Sequence, residues 1–194
     1  LTSNDVAVEV IEPEVSISKR FTNVNPGGST ATVELVITNT GTATANMSAF
    51  DLRVEDALGT GLDTISNIQF SAGSTGAVWD ASLSTVSKLD GTIDHLDVGE
   101  SVTITYDVNI SNPSSGLISA DEAQVTWQSI DGGPASMTDG GDTDTAGSAG
   151  TSTGERTGED GASGLNNYIA TDSDGLAAVS GNVFEELVQD DQYT

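Results

Sequence analysis

Residues 101–110 alternate strictly: Val102, Ile104, Tyr106, Val108 and Ile110 are apolar, and the residues between them are polar. A period of two puts all five on one side of an extended chain, whereas a helix would scatter them around its axis. The same pattern recurs along the chain. Val6, Val8 and Val10 share a phase, as do Val15, Ile17, Lys19 and Phe21. So do Val33, Leu35 and Ile37, then Phe50, Leu52 and Val54, and finally Ala123, Val125 and Trp127. Fainter alternation marks 64–70, 77–83 and 166–171. Each such segment reads as a strand with one buried and one wet face.

Turn chemistry separates these segments: Asn25-Pro26-Gly27-Gly28, Asn39-Thr40-Gly41, Asp90-Gly91, Val98-Gly99-Glu100 and Asn112-Pro113-Ser114. Gly supplies positive φ, Pro presets φ, and Asn or Asp bond their own backbone. The chain also holds 24 Thr and 23 Ser but few strong helix formers. Many short strands, tight turns and no convincing helix predict an all-β fold, an immunoglobulin-like antiparallel β-sandwich. The expected core includes Val33, Leu35, Ile37, Val102, Ile104, Tyr106, Val125 and Trp127.

One stretch departs from the pattern. Residues 131–165 contain 10 Gly and 7 acidic residues, with no Val, Ile, Phe, Trp or Tyr. Too little apolar surface is present to offset the entropy of ordering, so a long acidic loop is expected there. The predicted layout is an N-terminal strand or linker over 1–12, a sandwich over 13–179 that includes the loop, and a tail or linker over 180–194. Residues 2–10 and 171–179 share a Thr, an Asp and a closing Val in register. That similarity suits a unit cut from a tandem array.

The chain of 194 residues carries 5 Lys+Arg against 30 Asp+Glu, a formal charge of −25. Such a surface repels phosphate, which argues against nucleic acid as a partner. No apolar run reaches the 18 or so residues of a transmembrane segment. With no Cys, disulfides, thiolate metal sites and thiol nucleophiles are excluded. His95 is the single imidazole, set between Asp94 and Asp97 with no second His, and it reads as a surface side chain. Aromatic content of 5% also argues against a sugar-hydrolysing cleft. No enzymatic activity is expected.

Three candidate sites stand out. Lys19 falls in the apolar phase of its strand, where a desolvated amine could act as a nucleophile in an intramolecular isopeptide crosslink. Asn166 or Asn167 would be its acceptor and Glu34 the assisting carboxylate. Asp139, Asp142 and Asp144 in the loop, and Asp172, Asp174 and Asp5 near the two ends, offer hard oxygen ligands. Ca²⁺ is the ion they would suit, although none forms an EF-hand. Trp79 is the candidate platform for stacking a surface glycan.

Several of these segments resemble a known family. The run from Val8 through Glu12-Pro13-Glu14 to Lys19, and Val33-Glu34-Leu35-Val36-Ile37-Thr38-Asn39-Thr40-Gly41, are similar to the immunoglobulin-like repeat of large prokaryotic cell-surface proteins, a domain of unknown function. Val54-Glu55-Asp56-Ala57-Leu58-Gly59 resembles that family's Asp-and-Leu turn. Leu96-Asp97-Val98-Gly99-Glu100 with the strand to Tyr106, and Ala123-Gln124-Val125-Thr126-Trp127, resemble its Gly-Glu turn and late strand. The segment 154–168 is similar to a closing segment of long bacterial members. The resemblance implies an extracellular, cell-surface sandwich with a structural, adhesive or matrix role. Neighbouring repeats, or identical subunits joined head to tail, would then be the partners. In the filament version, the segment from Leu1 to Ile11 is a candidate donor strand that completes a neighbour's sheet.

Overall fold

The computed structural model describes residues 13–25, 29–41, 47–111, 117–128 and 169–177. Nine strands occupy them in chain order: β1 (Val15–Thr22), β2 (Thr30–Asn39), β3 (Ala49–Ala57), β4 (Leu62–Ser71), β5 (Trp79–Asp80), β6 (Lys88–Leu96), β7 (Ser101–Ile110), β8 (Leu117–Gln128) and β9 (Ile169–Ala177). They form two antiparallel sheets, a four-stranded one ordered β1-β2-β7-β4 and a five-stranded one ordered β5-β6-β3-β8-β9. The chain is therefore an immunoglobulin-like β-sandwich. Its first sheet repeats the A-B-E-D strand order, and β3, β8 and β9 take the C, F and G places. The pair β5 and β6 is inserted between β4 and β7 and extends the second sheet beyond β3.

Alternation decides which side chains meet. Val33, Leu35 and Ile37 of β2 and Val102, Ile104 and Tyr106 of β7 face Leu52 and Val54 of β3 and Val125 and Trp127 of β8. All are at most 3% exposed, so the core expected from the sequence is the core found. Each fully buried Leu, Ile or Val contributes about 1.5–3 kcal/mol. The shared apolar layer supplies most of the burial that brings the sheets face to face.

Strand edges are shaped against unwanted pairing. The outer strand β4 breaks register twice against β7, with Thr64 at φ 53° and Asn67 at φ 51° near the breaks. Bulges of this kind twist an edge away from an incoming strand. At the other end of the second sheet, β5 is only two residues long.

One expected turn is a strand. Asp90-Gly91 lies inside β6, paired with Glu55 and Val54 of β3. Gly91 is there because β5 lies against it: an added Cβ would sit 2.5 Å from the Asp80 carbonyl oxygen and 2.6 Å from Trp79 Cζ2. A glycine inside a strand marks close approach as readily as a turn. The expected strand over 77–83 shrinks to β5, and the one over 166–171 becomes the longer β9. The turn at residues 97–100 is present as expected, with Gly99 at φ 78° and Glu100 N–H donating to Asp97 O at 3.0 Å.

Candidate functional site

Lys19 continues the inward face of β1 after Val15 and Ile17, and Asp56 continues that of β3 after Leu52 and Val54. Lys19 and Leu35 are Cα partners, and Tyr106 pairs with Val33, so Lys19 and Tyr106 stand diagonally across β2 on one sheet. Asp56 reaches them from the other sheet. Lys19 Nζ donates to Asp56 Oδ1 at 2.9 Å, and Tyr106 O–H donates to Asp56 Oδ2 at 2.6 Å. The side chains of Lys19 and Asp56 are both 0% exposed. The Phe21 ring adds a cation–π contact, its centroid 5.8 Å from Nζ. An amine, a carboxylate and a phenol thus meet in the sealed layer between the sheets.

The backbone beside this cluster is pinned as well. β1 is an edge strand, and its outward N–H groups need acceptors. Asp172 Oδ2 accepts from Lys19 N at 2.7 Å, and Asp174 Oδ2 accepts from Phe21 N at 2.9 Å. Two residues apart on β9, these carboxylates point the same way, as alternation requires. They close the side of the sandwich where β1 and β9 run together, a seam made by side chains instead of strand pairing.

Lys19 is buried as its phase implies, but the carboxylate beside it is Asp56 and not Glu34. Glu34 sits on the other face of β2, where it accepts from Arg20 Nε at 2.7 Å. Asn166, Asn167, Asp5, Asp139, Asp142 and Asp144 lie outside the described residues, as does the segment 1–12. Among the described residues no group of three or more His, Asp or Glu is arranged to hold a metal ion. Trp79 is half-buried and stacks on Phe70 at 6.0 Å with 14° between the rings, while its edge lies against Gly91. That ring packs β5 against Gly91 of β6 and against Phe70 of β4, which lies in the other sheet. His95 is half-buried, with Nδ1 3.1 Å from Asp94 Oδ2.

A second group of charges lies on the outer face of the five-stranded sheet. Glu55 and Asp90 are Cα partners, and like charges directly opposite destabilise a sheet. Arg53 offsets this with two bonds to Asp90, at 3.0 Å and 2.9 Å, and an ion pair to Glu55 at 3.1 Å. Lys88 contacts both acids, reaching Asp90 Oδ2 at 3.1 Å. Burial alone would raise Asp90, but the hydrogen bonds from Arg53 and Lys88 outweigh it and hold the carboxyl below its ordinary 3.8. The bond to Glu55, followed by that to Asp90, raises Lys88 above 10.5.

A carboxyl depressed in the folded state contributes stability above its unfolded value and loses it as pH falls through the folded one. A raised lysine contributes below its unfolded value and loses it as pH rises past the folded one. The expected result is that Asp90→Asn lowers stability at pH 5–9, and that the gap to wild type closes in acid below about pH 3. Denaturant titrations of both proteins across pH 2–9 measure it. A gap that persists at the acid end would show that the effect is not the Asp90 charge.

No family model and no curated protein sequence matches the chain. Structural matches run to the full-length major pilin SpaD of Corynebacterium diphtheriae, at 14% identity and TM-score 0.42, over 61% of this chain and 31% of that one. They include the collagen-binding domain of a Staphylococcus aureus adhesin, at 12% identity and TM-score 0.39, over 62% and 87%. The T6 backbone pilin of Streptococcus pyogenes serotype M6 matches at 13% identity and TM-score 0.40, over 82% and 35%. Likenesses this weak assign neither an activity nor a partner, and the chain spans only about a third of either pilin.

Proposed function

We propose that this chain is a non-catalytic structural module of an extracellular prokaryotic surface protein, whose work is to keep length and shape between neighbouring units. One observation carries the reading: the side chains with the most chemistry to offer, Lys19, Asp56 and Tyr106, are at most 4% exposed and tie one sheet to the other. A catalytic or binding site needs those groups open to a ligand, whereas a module that resists deformation needs them where they are. The acidic exterior supports the same reading, because like charge keeps extended neighbours apart. Among the described residues Lys19, Arg20, Arg53 and Lys88 are each committed to an ion pair within the fold. No helix among them is long and apolar enough to cross a membrane.

The test is the behaviour of the isolated chain by sizing chromatography and negative-stain electron microscopy. A spacer unit remains a monomer at micromolar concentration. Fibres that vanish when residues 1–11 are deleted would replace this reading with a filament subunit that assembles by strand donation.

A further inference from the structure

We propose that Lys19 and Asp56 become joined by an intramolecular isopeptide bond once the chain has folded, with Tyr106 as the donor that stabilises the reacting carboxyl. The proposal rests on the buried geometry alone and does not depend on where the protein works. Nζ and Oδ1 are already 2.9 Å apart, both side chains are fully enclosed, and the Tyr106 hydroxyl is 2.6 Å from the other carboxyl oxygen. Each partner sits on a strand paired in register, and the backbone of Lys19 is further fixed by Asp172. Holding two reactants in this way replaces an encounter in solution with a unimolecular step. Enclosure also removes the water that would otherwise favour hydrolysis over condensation.

The atoms balance without a co-reactant. A proton passes from Lys19 Nζ to Asp56 Oδ1 along their hydrogen bond, leaving an amine beside a carboxylic acid. The nitrogen lone pair forms the Nζ–Cγ bond, and the Cγ–Oδ2 double bond opens to an oxyanion that accepts from Tyr106. A proton then moves from the nitrogen to the Oδ1 hydroxyl, which leaves as water with the electrons of the Cγ–Oδ1 bond. The Cγ–Oδ2 double bond re-forms. Ammonium and carboxylate have become an amide and one water, and nothing is oxidised or reduced. The product is a covalent tie from β1 in one sheet to β3 in the other.

Mass spectrometry of the denatured chain reads the bond directly. The expected mass is lower than that of the sequence by one water, about 18 Da, and digestion should yield the Lys19 peptide joined to the Asp56 peptide. Lys19→Arg keeps the positive charge but cannot condense, so it should show the full mass. In freshly refolded protein, Tyr106→Phe should slow the mass loss at least about tenfold. A folded wild-type chain that keeps its full mass over days, or a Lys19 peptide joined to any other carboxyl, overturns the proposal. The wild-type mass alone is decisive, so the result does not depend on how a variant folds.

Discussion

Replacing Asp56 with Ala is expected to cost the fold at least about 3–5 kcal/mol. The carboxylate receives both Lys19 Nζ and Tyr106 O–H in a layer closed to solvent. Removing it takes the ion-pair partner at 2.9 Å from a fully enclosed ammonium, and losing a charged partner is costlier than losing a bond between neutral groups. The asymmetry gives a sharper expectation. Changing both members to apolar residues, as in Lys19→Met with Asp56→Leu, should leave the fold more stable than Asp56→Ala does, because the buried ammonium is removed along with its partner. Chemical denaturation of the two single variants and the double variant measures the coupling. A double variant as unstable as the sum of the singles would mean that Lys19 and Asp56 act independently.

The seam between β1 and β9 should be the next most costly to break. Each of Asp172 and Asp174 accepts a hydrogen bond from a β1 amide, and bonds to charged groups contribute about 1.5–3 kcal/mol. Asp172→Ala with Asp174→Ala should therefore lower stability by about 3 kcal/mol or more. The Lys19 and Phe21 amides should lose most of their protection from hydrogen exchange, while those in the middle of β2 and β7 keep theirs. Measuring in chelator and again in millimolar calcium separates this role from the Ca²⁺ expected at the same residues. If the loss appears in chelator, the carboxylates are serving β1. A calcium-specific rise in wild-type melting temperature that is absent from the double variant would add an ion to that role. Unchanged exchange at Lys19 and Phe21 would dissolve the seam.

The alternation at β7 and β2 was legible because these strands lie inside their sheet with one apolar and one polar face, so period and burial coincide. β9 was harder to see, because Asp172-Ser173-Asp174 has the composition of a loop. Its carboxylates turn out to serve the neighbouring edge, a demand that only the assembled sandwich creates. β6 was concealed by Asp90-Gly91, which reads as a turn until Trp79 is seen pressed against the glycine. Lys19 betrayed its burial by phase, and Asp56 carried the same signal: it extends Leu52 and Val54 at the same period. Two opposite charges in the core phase of separate strands suffice to suggest a buried pair. That Tyr106 completes the group depends on the facing of two sheets, which no single segment encodes. The pairing of Lys19 with Asp56 instead of Glu34 has the same origin, since Glu34 lies in the polar phase of β2 and turns outward to Arg20.

If the Lys19–Asp56–Tyr106 cluster makes the sandwich resist deformation, losing it should lower the force needed to unfold the chain. Single-molecule pulling on a chain of linked copies tests it most directly, comparing wild type with Asp56→Ala and with Arg20→Ala, which removes only the exposed pair to Glu34. The expected result is an unfolding force that drops markedly in Asp56→Ala and stays at the wild-type value in Arg20→Ala. Equal forces in wild type and Asp56→Ala would contradict it.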